Sequence, residues 1–192
     1  MKQISSSSIR NFAILGHGGS GKTSLVESML KLGGEINRLG KIEDGSTTSD
    51  YHPGEKSRQI SIHSTPLHME WMGKKFNMID TPGYSDFIGE ALGAMRVVDM
   101  AIITIHATNG VEVGTETMWS NADKLGIPKM LVVNGLDREH VKFESILQQA
   151  RKLFGDNVFP MQLPVNEGPG YNQNIDVLRT ELISYETDKS GN

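Results

Sequence analysis

Residues 16–23 of the chain read Gly16-His17-Gly18-Gly19-Ser20-Gly21-Lys22-Thr23. This octapeptide fits the pattern G-x-x-x-x-G-K-[ST] at every fixed position. It follows a short apolar run, residues 12–15, and precedes a stretch with apolar side chains at i and i+4, such as Leu25 and Met29. A strand, a glycine-rich loop and a helix in this order predict a phosphate-binding loop.

Each residue type in this loop has a chemical reason. The glycines allow consecutive backbone N–H groups to point at phosphate oxygens. Lys22 can reach the β- and γ-phosphates, and the Thr23 hydroxyl can ligate Mg²⁺. The candidate nucleotide-binding residues are therefore His17, Gly18, Gly19, Ser20, Gly21, Lys22, Thr23 and Ser24.

A second candidate stretch begins at Asp80, which ends an apolar strand predicted over residues 76–79. A carboxylate at this position can hold Mg²⁺ through water. Gly83, which follows in Thr81-Pro82-Gly83, can offer its N–H to a γ-phosphate. Taken by itself the stretch reads as an ordinary proline turn, but the loop at 16–23 favours the metal role for Asp80.

A third stretch, Asn134-Gly135-Leu136-Asp137, follows the apolar run 130–133. A carboxylate at Asp137 can accept two N–H bonds from the edge of guanine, and adenine offers no such pair of donors. An Asn-Gly turn before a helix explains the same residues equally well.

Short apolar runs alternate with amphipathic stretches along the chain, which predicts an α/β fold with a mostly parallel sheet and helices on both faces. Residues 67–79 predict a hairpin that turns at Met72-Gly73. Residues 34–58 show no period. The segment between Gly34 and Ser61 offers few apolar anchors, so we expect it to be mobile until a γ-phosphate and Mg²⁺ are bound. Residues 158–165 predict one more strand, and after Pro164 the pattern decays. The further elements predicted are helices through 25–30, 87–95, 118–125 and 143–154 and strands over 12–15, 100–105 and 130–133.

Composition excludes several classes of protein. The chain has 192 residues, no cysteine and a formal net charge of −4. A disulfide scaffold and a thiolate metal site are therefore excluded, and direct nucleic-acid binding by this piece alone is not expected. Because no signal peptide and no membrane-length apolar run is visible, we expect a compact cytoplasmic domain with no membrane partner.

Together these motifs resemble the translational GTPases, specifically elongation factor G and its paralogues. The phosphate loop, Asp80-Thr81-Pro82-Gly83 and Asn134-x-x-Asp137 stand in the order of that family. The resemblance runs from Arg10 to about Ser190 and includes the stretches Arg58-Gln59-Ile60-Ser61-Ile62, Asp86-Phe87, Arg96-Val97-Val98-Asp99, Gly110-Val111, Glu116-Thr117-x-Trp119 and Ala122-Asp123-Lys124.

The resemblance implies a P-loop NTPase fold of the Ras-like GTPase type, incomplete at the C-terminus, and an Mg²⁺-dependent GTPase that binds GTP and GDP. Thr23, Ser61 and Asp80 become the expected metal ligands, with Ser61 in place of a threonine. Residues 1–160 are expected to form the GTP-binding core, and 161–192 to begin an inserted subdomain that is cut short in a longer factor. The ribosome becomes the expected partner, through domains beyond this piece.

Four departures from the family pattern bear on activity. Gly135 replaces a lysine whose stem lies over the guanine, and a serine-alanine loop behind the base is missing. Tyr84 replaces a histidine that orients the attacking water, while Gly18 replaces an apolar neighbour of that histidine. Lys22, Gly83 and Tyr84 are thus the candidate catalytic residues, with slow hydrolysis expected.

Two other functions stay open on these residues. One is a GTP-responsive, ribosome-binding regulator with very slow or no hydrolysis, which Gly18 and Tyr84 favour. The other is an ATPase or kinase, against which Asp137 argues.

Overall fold

The computed structural model describes residues 4–186, in which strands and helices alternate. The strands are β1 (Ile9–Gly16), β2 (Thr65–Trp71), β3 (Lys74–Asp80), β4 (Met100–His106), β5 (Lys129–Asn134), β6 (Gln162–Pro164), β7 (Gln173–Asp176) and β8 (Glu181–Ser184). The helices are α1 (Lys22–Leu32), α2 (Pro53–Arg58), α3 (Ile88–Met95), α4 (Val113–Leu125) and α5 (Phe143–Phe154), with short 3-10 turns at Ser6–Ser8 and Ser85–Phe87.

Five strands form the main sheet in the order β2-β3-β1-β4-β5. β1 runs parallel to both β3 and β4, whereas β2 pairs antiparallel with β3. Met72 and Gly73 join β2 to β3 and both have positive φ, 47° and 73°, which matches the twist of a two-residue hairpin turn. The predicted mostly parallel sheet and the predicted hairpin are both confirmed.

β1 carries the core on both faces because its side chains alternate in direction. Ala13 and Leu15 pack on one face with buried residues of α3 and α4, and Phe12 and Ile14 pack on the other with Val26 and Leu30 of α1 and with residues of β2 and β3. Helices therefore cover both faces, as predicted, and the strand that ends at the phosphate loop is held rigidly.

The chain divides into two compact units. The first contains residues up to 105 together with 112–132, and the second contains 106–111 together with residues from 133 onward. The first unit holds the phosphate loop and most of the main sheet. The second holds the stretch 134–137, helix α5 and a separate antiparallel sheet in the order β6-β7-β8.

Within the second unit, the loop 166–170 docks at the start of α5. The Glu167 carboxylate accepts the backbone N–H of Phe143 at 2.6 Å, and the N–H of Gly168 donates to the carbonyl oxygen of Leu136 at 2.7 Å. Ile146, Leu147 and Ala150 are the buried residues of α5. The helical stripe predicted over 143–154 is confirmed.

Three expectations about local structure were wrong. The stretch 34–58, in which no period was visible, contains α2 near its end, begun by a capping box between His52 and Glu55 and by Pro53. The strand predicted over 158–165 is present only as Gln162–Pro164, and it joins the small sheet. β7 and β8 lie where the pattern decays, because four-residue strands with one exposed face give too short an alternation to detect.

Two further points concern the ends and the membrane. Residues 187–192, which belong to the predicted subdomain 161–192, lie outside the described part of the chain. Within residues 4–186, no helix has the length and apolar character that crossing a bilayer requires.

Candidate functional site

The phosphate loop connects β1 to α1 as predicted, and hydrogen bonds of the Ser20 hydroxyl hold its shape. The Ser20 hydroxyl donates to the carbonyl oxygen of His17 at 2.8 Å and pairs with the Thr104 hydroxyl of β4 at 2.6 Å. Gly21 precedes α1 with φ 87°, a left-handed conformation that suits glycine. The first N–H groups of α1 therefore face the loop, where an anion is favoured.

Lys22 is buried beneath this loop. Its Nζ donates to the carbonyl oxygens of His17 and Gly16 at 2.8 and 3.2 Å. Burial lowers the pKa of Lys22 to about 8, against the opposing effect of the nearby carboxylates of Asp80, Asp50 and Glu112. An anionic phosphate at the loop would favour the charged form of Lys22.

The three residues predicted as metal ligands come together beside Lys22. The Thr23 hydroxyl donates to Asp80 Oδ2 at 2.9 Å and lies 3.3 Å from the Ser61 hydroxyl. Asp80 is 1% exposed, and its other oxygen, Oδ1, has no hydrogen-bond partner among the described residues. A buried carboxylate with a free oxygen, flanked by two hydroxyls, is a donor set that Mg²⁺ accepts.

Burial also destabilises the charged form of the Asp80 carboxylate. Burial raises its pKa to about 6, although hydrogen bonds from Ser49 and Thr23 and the charge of Lys22 act in the opposite direction. Within residues 4–186, no three histidine and acidic side chains form a metal site by themselves. Mg²⁺ is octahedral, so Thr23, Ser61 and Asp80 would leave coordination positions for phosphate oxygens and water.

Two neighbours of this cluster were missed in the sequence, Ser49 and Asp50. The Ser49 hydroxyl donates to Asp80 Oδ2 at 2.7 Å. Asp50 is 5% exposed and hydrogen-bonds Ser61, and burial raises its pKa despite that bond. An acid at the end of a run of small residues was the available signal, but a segment without a period gives no indication that this acid is buried.

The aperiodic segment is tied down by two buried glutamates. Glu27 of α1 accepts the backbone N–H groups of Gly40 at 2.8 Å and Thr48 at 2.5 Å. Glu55 of α2 accepts those of His52, Ile62 and His63 at 3.0–3.2 Å. Ile36 of the segment packs against the core, and the two glutamates add polar anchors that composition could not reveal. The mobility of the segment without nucleotide stays a prediction.

Tyr84 lies against the phosphate loop. A Cβ added at Gly18 would lie 2.9 Å from Tyr84 Cζ and 3.0 Å from Cε1, so the ring occupies the space that a side chain at 18 would need. Gly83 also approaches closely, since a Cβ there would lie 2.7 Å from the Gly18 nitrogen and would meet Lys22 Nζ. Two of the sequence departures, Gly18 and Tyr84, are thus coupled by packing.

The remaining loop residues have distinct surroundings. His17 Nε2 lies 3.6 Å from Glu112 Oε1, and its buried Nδ1 has no hydrogen-bond partner among the described residues. Gly19 and Ser24 are exposed to solvent.

The predicted base-reading stretch lies at the end of β5, in the second unit. The carbonyl oxygen of Asn134 accepts the N–H of Ala107 at 2.8 Å, and the N–H of Arg138 donates to the carbonyl oxygen of Gly135 at 3.2 Å. Asp137 is exposed on this turn. The structure thus brings the predicted phosphate and metal residues together in the first unit. In the second unit, Asn134 ends β5 and Asp137 lies in the turn that follows.

Comparison with known proteins gives a consistent result. A family model described as the elongation factor Tu GTP binding domain matches residues 7–187. The chain is 36% identical over 188 residues to the mitochondrial ribosome-releasing factor 2 of Debaryomyces hansenii, covering 95% of the chain and 22% of that protein. It is 36% identical over 183 residues to elongation factor G 2 of Treponema pallidum, covering 95% and 27%.

A solved structure has the same fold. A crystal structure of a protein from Thermus thermophilus superposes with a TM-score of 0.88 at 37% sequence identity, covering 94% of the chain and 27% of that protein. The chain therefore spans about a quarter of the length of the relatives that it matches.

Proposed function

Since the chain belongs to the family of elongation factor Tu GTP-binding domains, we propose that it binds GTP and GDP with Mg²⁺ and hydrolyses GTP to GDP and phosphate. The observation that carries this proposal is the convergence of Thr23, Ser61 and Asp80 beside Lys22 at the end of the phosphate loop. The relatives named elongation factor G and ribosome-releasing factor 2 support the ribosome as the partner of the whole protein.

The phosphate end of the nucleotide is held by His17 to Ser24. Backbone N–H groups of the loop and of the first turn of α1 donate to phosphate oxygens, and the helix dipole favours the anion. Lys22 leaves the carbonyl oxygens of Gly16 and His17, or shares its protons with them, to neutralise the β- and γ-phosphates. In this proposal Lys22 binds in the ground state and stabilises charge in the transition state.

Thr23, Ser61 and Asp80 are the residues that would hold Mg²⁺. The ion supplies charge neutralisation on the phosphates. Asp80 brings the negative charge and an oxygen with no donor in the described structure, while the two hydroxyls complete the oxygen donor set. Because Ser61 follows α2, its position connects the state of the metal site to the segment anchored by Glu27 and Glu55.

Hydrolysis in this class is mostly positioning plus charge stabilisation. The water oxygen bonds to the γ-phosphorus as the bond to the bridging oxygen breaks, and the proton of water leaves with inorganic phosphate. Gly83 offers its N–H to the γ-phosphate, and Tyr84 is the side chain placed to align water. A phenol forms a hydrogen bond but, unlike histidine, does not become a cation near neutral pH, so intrinsic hydrolysis is slow.

The base is read by Asn134 and Asp137. The Asp137 carboxylate accepts two N–H groups of guanine, which excludes adenine because its edge offers no matching donor pair. This selectivity argues against an ATPase or kinase.

We assign the core of the domain to residues 1–160 and the start of an inserted subdomain to 161–192. The separate sheet β6-β7-β8, which lies inside the second range, supports this division.

A regulator that binds GTP and hardly hydrolyses it is the second candidate function. The packing of the Tyr84 ring on Gly18 favours this function, because a side chain held against the loop is not free to move and align the attacking water.

We propose the cytoplasm as the compartment of the protein. One of the relatives is a mitochondrial factor by name.

Two measurements test these functions. Displacement of a fluorescent GDP by GTP or ATP, with and without Mg²⁺, should show a strong preference for GTP and a dependence on the ion. Equal displacement by ATP would overturn guanine specificity.

Single-turnover GTP hydrolysis by the full-length protein, with and without ribosomes, separates the GTPase from the regulator, since ribosomes stimulate hydrolysis only by the GTPase.

A further inference from the structure

Gly135 lies in the predicted base-reading stretch, at the position where the family pattern described above implies a lysine, and the space beside it is already filled. Its φ is +78°. A Cβ added there would lie 3.2 Å from Nε2 and 3.3 Å from Cε1 of His106, and 3.6 Å from Cγ of Arg138. The outer edge of the His106 ring therefore occupies the first part of the path that a side chain at 135 would take.

His106 is held firmly in this place. It ends β4, and its carbonyl oxygen accepts the N–H groups of Asn109 and Gly110, both at 3.0 Å. On the ring, Nδ1 lies 2.7 Å from the Thr108 hydroxyl. The next N–H, of Ala107, donates to Asn134 at 2.8 Å, which joins this turn directly to the base-reading turn. The half-buried ring is thus anchored at Nδ1 and presents Nε2 and Cε1 toward Gly135.

We propose that His106 is a base-contacting residue and that its imidazole packs against the guanine whose edge is bound by Asp137. This inference rests on the proposed function and deepens it. An aromatic ring in contact with a base stabilises binding by stacking, and the contact tolerates any purine because every base has a π-face. His106 therefore supplies affinity, while Asp137 supplies selectivity for guanine.

Arg138 is the competing neighbour of Gly135. Cγ of its aliphatic stem would lie 3.6 Å from a Cβ at Gly135, farther than the His106 ring, and the residue is exposed. A long exposed side chain loses rotamer freedom when it is fixed on a ligand, whereas the anchored ring of His106 is already ordered. For this reason the larger share of the contact falls to His106.

The test measures the dissociation constant of GDP for the chain by calorimetry. His106→Ala should weaken GDP binding about 5- to 100-fold, and His106→Phe, which keeps a ring, should stay within about threefold of the parent. Arg138→Ala should raise the dissociation constant of GDP by a smaller factor than His106→Ala does. His68→Ala, which removes an exposed histidine of β2, is the matched control and should leave binding unchanged.

Substitution of Gly135 gives a second arm. Gly135→Lys should weaken GDP binding, because the new side chain is strained at positive φ and meets His106. In the double variant Gly135→Lys with His106→Ala, the lysine stem has room, and GDP should bind more tightly than to His106→Ala alone.

NMR distinguishes contact of His106 with the base from a purely structural role of this residue. The Cε1 proton resonance of His106 should shift when GDP is added to the chain and should stay in place with inorganic pyrophosphate, which lacks a base. Equal GDP affinity of the parent and His106→Ala, with no base-dependent shift, overturns the inference alone. A parent that binds no GDP, or that binds ADP equally well, overturns the proposed function as well.

Discussion

At the scale of single residues, the packing of Tyr84 on Gly18 decides how the hydrolysis step can be tested. Tyr84→Phe removes the hydroxyl and leaves the ring on the loop. We expect GTP affinity to be unchanged and the single-turnover rate to fall by about 10²-fold, since loss of a well-placed aligning group has an effect of that order. A rate equal to that of the parent would assign Tyr84 to packing only.

Tyr84→His is the complementary change. An imidazole can align water and can carry a proton near neutral pH, so ribosome-stimulated turnover should rise, or stay the same if the phenol already aligns water well. Nucleotide affinity, measured in parallel, should not change. A fall in turnover with intact binding would mean that the geometry of the Gly18 contact matters more than the chemistry of the side chain.

Asp137 is the residue on which guanine specificity depends. Asp137→Asn should weaken GDP binding about 10- to 150-fold, because charge-assisted hydrogen bonds of this kind contribute about 1.5–3 kcal/mol. Binding of xanthosine diphosphate should improve, since that base offers an acceptor to the new amide. Glu139→Gln, an exposed neutralisation two residues along, is the control and should change neither constant. Unchanged GDP affinity in Asp137→Asn would contradict the assignment.

At the scale of elements, α1 does more than present the phosphate loop. Through Glu27 it also holds the segment 40–48, and the Gly40 backbone passes so close that a Cβ there would lie 2.8 Å from the Glu27 carboxylate. That segment leads directly into Ser49 and Asp50, which contact the metal-ligand cluster.

Glu27→Gln should therefore loosen a segment that is distant along the chain. The amide accepts one N–H in place of two, which leaves a part-buried donor unsatisfied at a cost of about 1 kcal/mol. Hydrogen exchange of residues 40–50 should accelerate, while that of β1 and β4 should not. Ser28→Ala, at an exposed position of α1, is the control. Equal exchange in both variants would contradict a clamping role.

At the scale of the whole molecule, nucleotide binding should appear as stability. At a GDP concentration of 100 times Kd with Mg²⁺, stabilisation is about 2.7 kcal/mol, and a domain of this size should gain about 5–10 °C in Tm. ADP at the same concentration should give no such gain. A thermal shift that is the same for both nucleotides would contradict guanine specificity.

Most of the fold and a large part of the site could be predicted from the order of residues. The phosphate loop at 16–23, the carboxylate at Asp80 and the alternation of strands and helices are local patterns, because backbone dihedral preferences and side-chain periodicity act over a few residues. From these patterns the mostly parallel sheet could be predicted, and so could the position of Thr23 and Asp80 at the same edge of it.

What only the tertiary structure decided involves contacts between residues that are remote in the chain. Ser49 contacts Asp80, Asp50 contacts Ser61, and Glu27 holds Thr48. Tyr84 covers Gly18, and His106 fills the space beside Gly135. Each depends on burial and on one side chain taking the volume that another leaves open, and close packing of this kind has no signature in local sequence.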